Sequence, residues 1–268
     1  MTNRLDSSLR LQRAVSVQMP NYDRAATGLG IVHLGVGAFH RAHQAWYTEQ
    51  ALNREGGNWA IVGASLRSAE VAERLNPQQG LYTLVERRGE HASYQVIGAL
   101  QSVIVAADSP DLLISQLADP AIKVVTLTIT EKGYLYDAAS GGLAEDNGAA
   151  QQDIASFPRN PQTAIGYLAA GLALRCKNGA GGLTLLSCDN LSHNGRVLAS
   201  VLNGFVSKVE PALLAWIQDN VTFPCSMVDR IVPAATDEDL VALAENLGYE
   251  DRGAVFTEPF SQWVIENK

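Results

Sequence analysis

The sequence predicts an α/β protein, a doubly wound, mostly parallel sheet with helices on both faces, followed by further helical segments. Three observations point there. Short apolar runs alternate with stretches of helical spacing, the pattern of strands joined by crossover helices. The runs are apolar almost throughout instead of at every second residue, as strands covered on both faces are. The first of them closes on two glycines, Gly35 and Gly37, just where a helix should begin.

Taken in order, Gly30-Ile31-Val32-His33-Leu34-Gly35 is the first strand, and Ala42, Ala45, Trp46 and Leu52 mark a helix after it that stops in Asn53 to Asn58. Trp59 to Ser65 reads as the second strand. Ser68 can cap a short helix that turns Val71, Ala72 and Leu75 inward. Leu81 to Arg87 and Ser93 to Leu100 flank a polar turn at Gly89 and should pair as a hairpin, interrupting the parallel pattern. Asp108-Ser109-Pro110 starts a helix bearing Leu112, Leu113 and Leu117, and the β-branched run Val124 to Thr130 is the next strand. Asp137 to Gln152, rich in Gly, Ala and Ser, reads as a loose linker. A helix from Thr163 to Lys177 ends at Asn178-Gly179, and Leu183 to Ser187 is a strand. Beyond it, Arg196 to Val209, Pro211 to Asp219 and Thr236 to Leu247 have helical spacing, with a short apolar run between them and a Thr236/Asp239 capping box on the last.

Composition narrows the function. With 268 residues, 47% hydrophobic and 18% charged, the chain has enough apolar material for a sizeable core. Asp and Glu outnumber Lys and Arg by 28 to 20, a net charge of -8, which argues against a nucleic-acid partner. No apolar stretch approaches the roughly 18 residues of a membrane span, and the opening MTNRLDSSLRLQR lacks the apolar centre of a signal peptide. The expectation is a cytoplasmic protein with no membrane partner. Cys176, Cys188 and Cys225 are odd in number and lack CxxC spacing, so buried free thiols are expected and neither disulfides nor a metal site.

In a doubly wound sheet the turn after the first strand is where a dinucleotide pyrophosphate rests on a helix N-terminus. Here the candidate cofactor-binding segment is Gly35, Val36, Gly37, Ala38, Phe39 and His40. Gly35 suits the tight turn and Gly37 the close approach of backbone to phosphate, while His40 stands where a third glycine is usual. Glycines at a strand end can mark a turn and nothing more, but the position between strand and helix favours the dinucleotide. Arg41 is placed to reach phosphate, or else is a solvated residue of the first helical turn. After the second strand no carboxylate appears before Glu70, and Arg67 with Ser68 could meet a 2′-phosphate, leaving NADP open beside NAD. Thr128, Thr130 and Glu131 end a predicted strand where the nicotinamide side of the crevice should lie. His33 and His193 read as structural.

The strings LGVGAFHRAHQAWYTEQAL, LTITEKGYLYD, LLSCDNLSHNG, FPCSMVDRIVPAAT and EPFSQWVIE, in this order between about Ile31 and Glu266, closely resemble the long-chain mannitol dehydrogenase and fructuronate reductase family. The resemblance implies a metal-independent, two-domain dehydrogenase with a Rossmann-type NAD(P) domain. It moves hydride between nicotinamide C4 and a secondary alcohol or ketone of a polyol or hexuronate, with NAD the expected cofactor. It also implies a catalytic lysine in a later helical domain, in a KxxxxNxxH pattern that this sequence does not contain: Lys132 and Lys177 lack the Asn and His that should follow. Asn190 matches the family asparagine that polarises the reacting oxygen, and Asp229 matches an active-site carboxylate. Their plainer readings are a turn cap and a partner for Arg230. Residues 1–190 are therefore expected to form the NAD(P) domain, and 191–268 its remaining helices and the start of a truncated substrate domain. Such a chain should be catalytically silent alone. The rival function is a dinucleotide-binding module that never turns over.

Overall fold

A computed structural model of the chain describes residues 3–6 and 16–268. Most of the opening stretch, and with it the signal-peptide question, lies outside the described residues. The central sheet contains β1 (Leu29–Leu34), β2 (Ala60–Ser65), β3 (Leu100–Val105), β4 (Val124–Leu127), β5 (Leu183–Ser187) and β6 (Val221–Thr222). Their order is β3-β2-β1-β4-β5-β6, and every pairing is parallel. This is the doubly wound order, and it reverses direction between β1 and β4, opening a crevice beyond the strand ends.

Both faces of the sheet are covered, as the unbroken apolar runs require. Val32, Leu34, Val62, Ala64 and Ile104 face a large core shared with the later helices. Ile61, Leu100 and Val103 face a second core built with the earlier ones. On that second side lie α1 (Ala38–Ala42), α2 (Gln44–Glu55) and α3 (Glu70–Leu75). The single helix expected after β1 is two, because His43 breaks the run at φ -120°, ψ -85°. The Ser68 hydroxyl accepts the Glu70 N–H at 3.2 Å, and Ala72 and Leu75 are buried as expected.

The large core receives α4 (Pro110–Ala118), α5 (Gly148–Ser156), α6 (Ala164–Lys177), α7 (Asn194–Val209) and α8 (Leu213–Asn220). In α4, Leu113 and Leu117 point inward, but Leu112 is 50% exposed, contrary to expectation. Asp137 to Gln152, which reads as a loose linker, is instead ordered. It overlaps an antiparallel pair, Tyr136–Asp137 with Gly142–Leu143, and then the first turns of α5, capped by the Asn147 side chain on the N–H groups of Ala149 and Ala150.

The junction of α5 and α6 carries a stability prediction. Asp153, 2% exposed, accepts the Gln162 N–H at 2.8 Å, the Thr163 N–H at 2.9 Å and the Thr163 hydroxyl at 2.6 Å. Thr163 in turn caps α6 on Gly166. Asp153→Ala leaves these donors without an acceptor and is expected to cost about 3 kcal/mol. A urea denaturation midpoint barely moved from wild type would contradict this.

The hairpin forms as expected from Tyr82–Arg88 and His91–Ile97. Leu100, assigned from sequence to its end, instead begins β3, a strand not foreseen. The hairpin belongs to a separate four-stranded sheet, joined on either side by Val255–Thr257 and Val17–Gln18. Against it packs α9 (Asp237–Leu247), whose Thr236/Asp239 capping box is present. A two-stranded ribbon pairs Ser226–Asp229 with Gln262–Ile265. Residues after 190 are thus built into the same cores as those before it: Leu198, Phe205 and Ile217 join the large one, and β6 completes the central sheet. Of the cysteines only Cys188 is buried. Cys176 and Cys225 are partly exposed.

Candidate active site

The two glycines of the first turn are required for different reasons. Gly35 has φ +96°, and a Cβ there would lie 2.1 Å from the Thr128 carbonyl oxygen. The exits of β1 and β4 are simply too close for a side chain. Gly37 has extended backbone, φ -82° and ψ 179°, open to any residue. A Cβ on it would meet only the Gly35 carbonyl, at 4.0 Å. Nothing in the protein's own packing calls for glycine at 37, so its bare backbone faces free space in the crevice. Beyond it the first N–H groups of α1 lack intrahelical acceptors. The turn is therefore a surface on which backbone can approach an anion.

Three depressions adjoin along the strand ends. The central one, about 640 Å³, is walled by Gly35, Arg67, Ser68, Thr128, Thr130 and Thr163 among others. On the β2 side it shares Leu66 and Arg67 with one of about 460 Å³ that reaches Pro110 and Tyr167. On the β5 side it shares Thr128 and Thr130 with another of about 460 Å³, lined by Gly37, Ala38, Phe39, Asn190 and Asp229. Asn190 and Asp229, 39 positions apart, thus meet in one hollow, and both are exposed there.

Four expected site residues do not face the crevice. Val36 is buried in the second core, its side chain filling the space left by Gly63. Arg41, expected at phosphate, is turned inward: its guanidinium donates to the Gly253 carbonyl and lies over the Tyr82 ring. His40 is fully buried and stacks on His33 at 3.4 Å between ring centroids, with neither ring nitrogen hydrogen-bonded. Glu131 is exposed on the 3-10 turn Glu131–Tyr134, whereas its neighbours Lys132 and Gly133 line the central hollow. Asp229 does not pair with Arg230, whose guanidinium donates to the carbonyls of Ala42 and Glu258 and approaches Glu86.

His33, read as structural, ties the crevice wall together. Its Nδ1 lies 2.7 Å from the Thr126 hydroxyl, and its Nε2 lies 3.0 Å from the Gly35 carbonyl and 2.9 Å from the Thr128 hydroxyl. The residue that sequence reasoning missed is Asp189, next to Asn190. It accepts the N–H groups of Ile129 and Thr130 and the Tyr134 hydroxyl. Its partners are distant in sequence and two of them are backbone, so no local pattern signals it.

Burial keeps three imidazoles near the turn neutral. It pushes His33 down to about 3, and lowers His40 and His43 as well. An unfolded histidine takes up its proton near pH 6.5. The stability these groups contribute is therefore complete above that pH and is lost as pH falls toward the folded values, by up to about 1.4 kcal/mol per pH unit for each. The buried carboxyls of Glu49 and Asp251, which burial pushes up, act in the opposite sense. His40→Phe removes one titrating ring and keeps a flat ring to stack on His33. It is expected to flatten the fall in urea-unfolding free energy between pH 7 and pH 5, and an unchanged slope would contradict it.

The family model described as the mannitol dehydrogenase Rossmann domain matches residues 29–268. The D-mannonate oxidoreductase of Escherichia coli K12 is 42% identical over 271 residues, spanning 100% of this chain and 54% of that protein. A mannitol 2-dehydrogenase of Aspergillus fumigatus is 40% identical over 257 residues, 94% of this chain and 51% of the relative. The solved Pseudomonas fluorescens mannitol 2-dehydrogenase, in ternary complex with NAD and D-mannitol, superposes with a TM-score of 0.94 at 40% identity. That match covers 99% of this chain and 55% of the other. The chain spans about half the length of the relatives it matches. A family match that runs from β1 through the last ribbon strand, on a sheet of this order with this crevice, establishes that the chain belongs to the mannitol dehydrogenase Rossmann-domain family.

Proposed function

We propose that this chain is the cofactor-binding half of a dehydrogenase that transfers hydride between NAD and a secondary alcohol or ketone of a polyol or hexuronate. The observation that carries the proposal is Gly37, a glycine with room for a side chain on the protein's own side and a bare backbone facing the crevice. Its relatives supply the substrate class, one named for D-mannonate and others for mannitol. In this reading the turn from Gly35 to Phe39 holds the pyrophosphate through backbone N–H groups. Arg67 and Ser68, at the end of β2, stand beside the adenosine ribose, and Thr128 and Thr130 line the path to the nicotinamide. Bound there, the nicotinamide C4 supplies or accepts the hydride. The Asn190 amide, in the hollow it shares with Asp229, is placed to donate a hydrogen bond to the substrate's reacting oxygen and favour charge building on it.

Fluorescence titration with NADH tests the reading, and a folded chain that does not bind it would overturn it. NADH is expected to bind more tightly than NADPH. Arg67, exposed between two depressions, is the residue best placed to reverse that order. If NADPH binds more tightly and Arg67→Ala abolishes its advantage, the ribose pocket selects the phosphorylated cofactor.

A further inference from the structure

The loop leaving β4 contains a residue whose backbone opposes its own side chain. Thr130 has φ +65° and ψ 160°, a region nearly reserved for glycine and worse for a β-branched residue. Such a conformation persists only where its surroundings over-determine it. Here the surroundings are largely one carboxylate. Asp189 Oδ2 accepts the Ile129 N–H at 2.9 Å, and Oδ1 accepts the Thr130 N–H at 3.2 Å. The Thr128 N–H goes to the Leu34 carbonyl at 3.0 Å. All three backbone donors of the loop therefore point into the protein. What the loop offers the crevice is the pair Thr128 and Thr130, which lie in the wall common to the central and β5-side hollows.

We propose that Asp189 is a positioning residue of the cofactor crevice. By gathering two N–H groups it holds Thr130 in its strained backbone, so that the loop presents Thr128 and Thr130 where the dinucleotide passes from pyrophosphate to nicotinamide. The inference rests on the dinucleotide-binding function proposed for this chain. Strain kept at a binding surface opposes the stability of the free protein and favours the ligand, so its relief moves the two quantities in opposite directions. A side chain that merely supports the fold does not do this. Asparagine at 189 replaces one acceptor by an NH₂ donor and has to give up one of the two loop bonds.

NADH titration and thermal melting of wild type, Thr130→Gly, Asp189→Asn and Tyr134→Phe test it. Thr130→Gly is expected to melt no lower than wild type yet bind NADH at least about fivefold more weakly, the low end of what such strain is worth. Asp189→Asn should weaken binding to a similar degree. Tyr134→Phe removes Asp189's third donor, at 2.7 Å, but neither loop bond, and should bind within about twofold of wild type. If Asp189→Asn fails to fold, Asp189→Glu, which keeps the carboxylate but displaces it from the two loop N–H groups, decides in its place: weaker binding there, with Tyr134→Phe unchanged, supports the inference, and binding like wild type overturns it. Thr130→Gly binding like wild type overturns the inference and leaves the dinucleotide function standing. A folded wild type that does not bind NADH overturns both.

Discussion

Gly37→Val is expected to weaken NADH binding by well over tenfold, about 1.4 kcal/mol or more, while the chain stays folded. The backbone at 37 is extended, a conformation valine adopts readily, and an added Cβ meets no protein atom nearer than the Gly35 carbonyl, at 4.0 Å. Gly37 is also the N-cap of α1, so a stability loss of about 1 kcal/mol is expected from the poorer cap. The branched side chain would instead stand where the backbone must approach phosphate. Gly35→Ala is expected to fail in the opposite way. Its methyl group would stand 2.1 Å from the Thr128 oxygen at φ +96°, and strain plus overlap should exceed about 3 kcal/mol. Urea unfolding and NADH titration of the two variants separate the roles. Equal cofactor affinity in wild type and folded Gly37→Val would remove the turn from the site.

The second large effect concerns turnover. The 268-residue chain is expected to bind NADH and yet show no polyol oxidation or hexuronate reduction above background in an NAD(P)H absorbance assay. Loss of the hydroxyl proton needs a base, and a positioned one contributes roughly 10²- to 10⁴-fold. Among the described residues of the β5-side hollow, Asn190 donates but does not take up a proton. The Asp189 carboxylate is already shared among three donors. Asp229 is an exposed carboxylate, a weak base for an alcohol, and water reaches both it and Asn190. Joining the chain to a second half of the kind its relatives carry should restore activity. Turnover by the chain alone, abolished by Asp229→Asn, would place the base within these residues.

The parts legible in sequence were those set by local chemistry. Runs such as AIVGAS in β2, buried along nearly their whole length, announce a covered parallel strand, and the Thr236/Asp239 box announces the start of α9. β3 is hidden in the sequence because only Gly98 and Ala99 separate it from a hairpin strand, so that its start reads as a continuation. In α5, small residues hid a helix whose cap, Asn147, was visible all along. Among the proposed site residues, Gly35 and Gly37 follow from turn chemistry and Asn190 and Asp229 from resemblance, and all four line the crevice hollows. The inward turn of His40 and Arg41 follows from neither, since it depends on Gly253 and Tyr82, far away in the chain. Asp189 was hidden for the same reason.

The late segment that receives Arg41 has a consequence for biosynthesis. Arg41 bonds to a carbonyl 212 positions onward, Gln78 to Asp251 173 positions onward, and Leu84 to Glu86 pair with Val255–Thr257. Chains emerge N-terminus first, and contacts of such span form last and slowly. During synthesis the hairpin edge and the Arg41 guanidinium must wait, unpaired, until Gly253 and Val255–Thr257 have been made. The nascent chain therefore carries an open strand edge from the time Glu86 is made until Val255–Thr257 emerges, and that edge, more than the finished fold, is where aggregation and chaperone capture should concentrate.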